Sequence, residues 1–267
     1  MNPQIKDHLN GNVGMEFLIC SHCNLRCRAC SRFSCISKPK FYDHDKLIND
    51  IKELKSRLDI NRVTLSGGEP LLYPNIAELL YEIRSFFDGV INIFTNGKAF
   101  AKLGEKFFKA LKDNNVYIIY TRYPGIDYDE IHKICNEYNV GVNNVYDFTD
   151  LAVPLVKEFC SSPLSVIETK TQEYKYINIC NDTCPCVWDS KVWLCGRCAL
   201  SENLNEKYNT KFKPTPLDYL EITKIKNRTQ YFNFIKKPIF FCKYCFNTHS
   251  KMIPFETKNY CKEDYIK

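Results

Sequence analysis

Short apolar runs and stretches of helical periodicity take turns along residues 13–145. The runs Val13–Cys20, Arg62–Leu65, Val90–Phe94, Val116–Tyr120 and, roughly, Val140–Val145 have the length and composition of buried strands. Between them lie four one-sided apolar stripes: Leu47, Ile51, Leu54 and Leu58; Ile76, Leu79, Leu80 and Ile83; Leu103, Phe107 and Leu111; and Ile131, Ile134, Cys135 and Tyr138. Spacings of three and four residues predict helices that lay one face on a sheet. Repeated strand–helix units predict an α/β fold with a parallel sheet, and four or more of them in this length give a partial or complete barrel. In such barrels the functional loops gather at the C-terminal ends of the strands.

After about residue 150 the alternation fades, which places a boundary near 170 and divides the chain into 1–170 and a cysteine-rich 171–267. Tyr176–Cys180 reads as extended, and Cys184–Trp188, a tight Asp189-Ser190 turn and Lys191–Cys195 read as a hairpin. A two-residue turn sets Cys184 opposite Cys195.

The 267 residues are 45% apolar, enough for one large domain with or without a small appendage. No run of 18 apolar residues, no leader with a cleavage site and no low-complexity segment occurs, so a soluble cytoplasmic protein is expected. Fifteen cysteines in such a chain point to metal ligation rather than a disulfide framework. Cys135 sits on an apolar stripe and reads as structural. The net charge is +6, and residues 206–267 alone hold 13 Lys or Arg against 6 Asp or Glu, a basic surface that can attract an anionic substrate. No regular basic-aromatic array for nucleic acid is present.

Cys23, Cys27 and Cys30 follow the first strand in a C-x3-C-x2-C pattern. Such a triplet can hold three irons of a [4Fe-4S] cube and leave the fourth open to a small molecule. Ser66-Gly67-Gly68-Glu69-Pro70 follows the second strand, Thr95-Asn96-Gly97 the third and Thr121-Arg122 the fourth, so every suspicious loop falls on one face. In order and context these motifs resemble the radical S-adenosylmethionine (radical SAM) superfamily. The resemblance implies a partial (β/α)6 TIM-like barrel in which SAM chelates the open iron. An electron from the reduced cluster then cleaves SAM to methionine and a 5'-deoxyadenosyl radical, which takes a hydrogen atom from substrate. Gly67, Gly68, Glu69 and Pro70 would form the site of the SAM amino group, the glycines by letting backbone approach closely and Glu69 or nearby carbonyls by accepting from an ammonium. Thr95, Asn96, Thr121 and Arg122 match positions that contact the ribose and carboxylate of SAM. Ala29 stands where the family commonly has an aromatic residue, and Cys20, at a strand end, reads as structural; His22 reads as a packing residue.

The later cysteines resemble the auxiliary-cluster region called SPASM or twitch, where a hairpin and a C-x2-C pair hold a second [4Fe-4S] cluster. The implied ligands are Cys184, Cys195, Cys242 and Cys245, with Cys180 as an addition or substitute and Cys186 and Cys198 in reserve. The competing reading is structural zinc, because Cys195–Cys198 and Cys242–Cys245 have zinc-ribbon spacing. An unligated Cys198, Cys186 or Cys35 is a candidate hydrogen donor to a substrate radical. The resemblance therefore implies dehydrogenation or epimerisation of a sugar or other small polar substrate, with a flavodoxin or ferredoxin as reductant and with neither membrane nor nucleic acid as partner. A ribosomal peptide substrate, a glycyl-radical activase and a noncatalytic zinc or Fe-S module are the alternatives.

Overall fold

The computed structural model describes residue 8, residues 10–147, residue 164, residues 185–244 and residues 261–266, with backbone alone at 145–147. Five strands appear where apolar runs predict them: β1 (Gly14–Cys20), β2 (Arg62–Gly67), β3 (Val90–Thr95), β4 (Val116–Arg122) and β5 (Val142–Asp147). The helices α1 (His44–Leu58), α2 (Ile76–Phe86), α3 (Gly104–Asp113) and α4 (Tyr128–Glu137) alternate with them. Leu103, Ile134 and Tyr138 are half-buried, Leu103 and Tyr138 flanking their helices, whereas most of the apolar stripes are buried as expected, Leu47, Ile51, Leu54 and Leu58 on α1 and Ile131 and Cys135 on α4 among them. Each such side chain contributes roughly 1.5–3 kcal/mol on leaving water. Asp43 caps α1 by accepting from the backbone of Lys46, and Asp127 caps α4 by accepting from Asp129 and Glu130.

Beyond β5 the described chain continues with the hairpin β6 (Cys186–Trp188) and β7 (Lys191–Trp193), then α5 (Gly196–Ala199), α6 (Ser201–Tyr208), β8 (Tyr219–Glu221) and α7 (Arg228–Ile235). Asp189 and Ser190 both take left-handed φ, 52° and 56°, the twist that a two-residue hairpin turn demands. The turn is pinned by the Tyr42 hydroxyl, which accepts from the Ser190 backbone N–H at 2.6 Å.

One open eight-stranded sheet results, in the order β5-β4-β3-β2-β1-β6-β7-β8. β1 to β5 are mutually parallel, β6 joins β1 in parallel, and β7 and β8 add antiparallel. The hairpin thus extends the sheet at its β1 edge. On one face Glu16, Thr64, Asn92 and Tyr117 stand in register across β1–β4, a polar row opposite the helix-packed apolar face. No described helix is long and apolar enough to cross a membrane.

Candidate metal centre

The loop after β1 is closed at its stem by backbone bonds from Ser21 to Lys40 (2.9 Å) and from Tyr42 to Ile19 (2.8 Å). Inside it Ala29 and Phe33 adopt left-handed φ of 53° and 57°, which turns the chain tightly around the triplet. Cys27 and Leu25 are buried, and Cys23 and Cys30 pack beside them with Tyr123 and Ile126 of the loop after β4. The nest is separate from the main core. Burial pushes the Cys27 thiol up, and the neighbouring Cys30, Cys23 and Cys35 sulfurs push it further, so the three motif thiols share one pocket with a fourth thiol nearby. Cys23, pushed up to about 12 by burial, receives N–H donors from Leu25 (3.3 Å) and from Asn96 Nδ2 (3.4 Å).

This donor set fits a cluster. Buried thiols ionise when a metal supplies the opposing charge, and N–H···S contacts are the means by which a protein steadies and tunes cluster sulfurs. Among the described residues no three His, Cys, Asp or Glu side chains converge on a single ion.

The glycine loop after β2 lies against the cysteine loop. Gly68 N–H donates to the Cys20 carbonyl and Glu69 N–H to the His22 carbonyl, both at 2.9 Å. A methyl on Gly68 would overlap the His22 carbonyl oxygen, and one on Gly67, at φ +123°, that of Cys20. The close approach that the two glycines permit is therefore backbone on backbone. Cys20 is structural here: its S–H donates to the Glu69 carbonyl at 3.1 Å, and burial pushes its thiol up to about 12. The His22 ring packs edge-on against Phe41 at 4.9 Å.

Glu69 is fully buried, and its carboxylate is committed to protein donors. Oε1 accepts from the Thr95 hydroxyl (2.6 Å) and from the Leu71 N–H (3.1 Å), and Oε2 accepts from the Asn96 N–H (2.8 Å). It caps the short turn Pro70–Leu72, where Pro70 supplies the pre-set φ of a first helical residue. Thr95 therefore faces Glu69, and Asn96 faces Cys23 and the Asn24 side chain (2.8 Å), a tie between motif loops rather than open ligand contacts.

Burial raises the Glu69 carboxyl from 4.5 to about 7 against the pull of its three donors. Between those values the folded chain holds a proton that the unfolded chain has released, so this group's contribution to stability falls as pH rises through that window. Urea unfolding at about pH 5 and about pH 8 should show that slope in the parent chain and its loss in Glu69→Gln, with roughly 1 kcal/mol of destabilisation from the amide's missing acceptor.

At the fourth loop Thr121 is buried and the Arg122 guanidinium lies over the Tyr128 ring at 5.4 Å. The Tyr128 hydroxyl donates to the carbonyls of Asn96 (2.9 Å) and Thr121 (3.0 Å) and accepts from the Tyr123 N–H (2.8 Å). Tyr128, Tyr123 and Asn24 carry no motif spacing, and sequence reading passes over them. The described C-terminal residues brace the cysteine loop from another side: Asp264 pairs with Arg28 at 2.8 Å, and the Tyr265 hydroxyl lies 2.8 Å from Cys35 Sγ and 3.4 Å from the Cys27 carbonyl.

Further thiols lie on the hairpin and beyond it. Cys198, wholly buried, has its thiol held well above the usual range by burial first and then by Cys195, Asp218, Cys186 and Cys242. Cys195, Cys186 and Cys242 thus lie within electrostatic reach of Cys198. Cys180, Cys184 and Cys245 lie outside the described residues. A cavity of about 620 Å³, lined by Asn12, Asn61, Arg62, Asn92, Tyr117 and Asn143 among others, sits at the N-terminal ends of the strands, a strand length from the cysteine loop.

Known proteins match part of this chain. The description "Radical SAM superfamily" fits residues 17–173. GTP 3',8-cyclase of Staphylococcus haemolyticus is 27% identical over 166 residues, 58% of this chain and 46% of the relative. GTP 3',8-cyclase of Crocosphaera subtropica is 32% identical over 108 residues, 38% of this chain and 32% of that protein. The chain spans about half or less of the length of these curated relatives. Streptococcus suis SuiB bound to S-adenosylmethionine is similar at 14% identity and a TM-score of 0.35, over 52% of this chain and 42% of that one.

Proposed function

The chain belongs to the radical SAM superfamily, and we propose that it abstracts hydrogen from a small, negatively charged substrate with the help of a second, auxiliary cluster. The observation that carries the reading is the pair of backbone bonds joining the glycine loop to the cysteine loop, Gly68 to Cys20 and Glu69 to His22. They hold the glycine loop against the loop that carries the triplet, and in this reading the Gly67-Gly68 carbonyls receive the SAM ammonium.

When bound, a [4Fe-4S] cluster on Cys23, Cys27 and Cys30 supplies the electron that splits SAM to methionine and a 5'-deoxyadenosyl radical. Asn96 steadies the Cys23 sulfur, Tyr128 fixes the loops carrying Asn96 and Thr121, and Arg122 offers a guanidinium to the SAM carboxylate. Leu25, Tyr123 and Ile126 exclude water from the thiols. An external one-electron donor of the flavodoxin or ferredoxin kind completes the reading.

Residues 171–267 carry the second site in this proposal, in the manner of a SPASM or twitch region, with Cys186, Cys195, Cys198 and Cys242 as its described thiols. The role of Cys186 and Cys198 then shifts from hydrogen donor to ligand or ligand neighbour. An anionic substrate is favoured by the basic balance of residues 206–267 and by relatives whose names specify GTP. Sugar dehydrogenation or epimerisation has no counterpart among those names. Deuterium transfer into 5'-deoxyadenosine from labelled GTP, sugar nucleotide or peptide tests the substrate class. Transfer from the anionic small molecules supports the reading, and transfer from a peptide alone overturns it. Cys242→Ala should remove about four irons while SAM binding persists; an unchanged iron content contradicts the second site.

A further inference from the structure

We propose that Arg32 is a positioning residue that ties the cysteine loop to the second group of thiols and supplies the cation facing it, an inference that rests on the second-cluster reading above. Arg32 follows Cys30 by two residues. Its Nη2 donates to both carboxylate oxygens of Glu16 at 2.8 Å, and Glu16 Oε1 also accepts from the Ser66 hydroxyl at 2.5 Å. Glu16 lies on β1 and Ser66 on β2, immediately before Gly67-Gly68. Arg32 Nη1 stands 3.9 Å from Cys186 Sγ. The same guanidinium lies so close to Gly196 that a methyl there would overlap Nη1, and Gly196 falls between Cys195 and Cys198.

One planar cation thus touches the carboxylate that anchors it to the sheet, itself bonded to Ser66 of the strand leading into the glycine loop, and faces both Gly196 and the Cys186 sulfur. With Arg32 and Glu16 side chains 20% and 16% exposed, the pair is shielded well enough for its charge to act at short range. Only a fork of fixed donors can hold Glu16 with one nitrogen and face Cys186 with the other. A cation beside a cluster favours the reduced, more negative state, so Arg32 raises the midpoint potential of a cluster held there.

The test is an EPR-monitored redox titration of the anaerobically reconstituted full chain without substrate, alongside iron and sulfide analysis. Wild type should hold about eight irons and give two cluster signals. In Arg32→Gln the second signal should shift to lower potential, and in Arg32→Lys, which keeps the charge and loses the fork, the shift should be smaller. A second signal at the wild-type midpoint in Arg32→Gln overturns the inference alone. Loss of the second signal from both variants alike reduces Arg32 to packing and also overturns it. A wild type with only about four irons contradicts the second site and this inference with it.

Discussion

Cys27→Ala is expected to abolish reductive cleavage of SAM, with a loss of more than about 100-fold, beyond what outer-shell changes at metal sites cost. Cys27 is the most enclosed thiol of the triplet, 7% exposed and packed with Leu25 and Tyr123. Removing it leaves two half-buried thiols, too few to anchor a cube against loss. Cys35 is the informative control, because it lies within electrostatic reach of Cys27 and Cys30 yet is engaged with the Tyr265 hydroxyl. Cys35→Ser should retain the cluster and its cleavage activity, as read by iron content and by 5'-deoxyadenosine formed under a strong reductant. Equal loss in both variants would mean that the triplet pattern does not define the ligands.

Gly68→Ala should be nearly as damaging by a different route. Its new methyl would meet the carbonyl oxygen of His22, which is backbone and cannot step aside without breaking the bonds that join the two loops. The expected cost is about 3 kcal/mol, at the upper end of what overpacking typically produces, with loss of SAM binding. Urea unfolding midpoints and a SAM-binding titration measure the two parts. A stable variant that binds SAM normally would show that the loops can separate and that their contact does not form the site.

The β-α core was legible because strands and helices leave different periods in a chain, and the stripes Leu47–Leu58 and Ile131–Cys135 fall on the helices and faces they predict. Strand ends were less legible: β2 runs on to Gly67 and β4 to Arg122, since pairing with a neighbour, which no local pattern records, carries them past the last apolar residue. The two-residue turn at Asp189-Ser190 could be read, but the parallel seat of β6 on β1, Glu16 opposite Cys186, could not. Nothing in either segment announces a partner some 170 residues away.

The site divides in the same way. Residue types at motif spacing gave the triplet and the glycine loop. Which group each side chain faces depends on how separate loops meet. The Glu69 carboxylate accepts from Thr95, Asn96 and Leu71, and the Asn96 amide reaches both Cys23 and Asn24, ties that depend on loops far apart in sequence. Tyr128 matters through its hydroxyl, which binds two loops together, whereas its spacing marks it only as a residue near a helix start.

The most direct measurement is made on the wild-type chain: anaerobic reconstitution with iron and sulfide, metal analysis, then incubation with SAM and a strong reductant. Iron and sulfide in equal amounts, together with 5'-deoxyadenosine and methionine formed one to one, are the predicted result. Zinc in place of iron and sulfide, or intact SAM after reduction, would contradict the assignment of Cys23, Cys27 and Cys30 as the seat of radical generation.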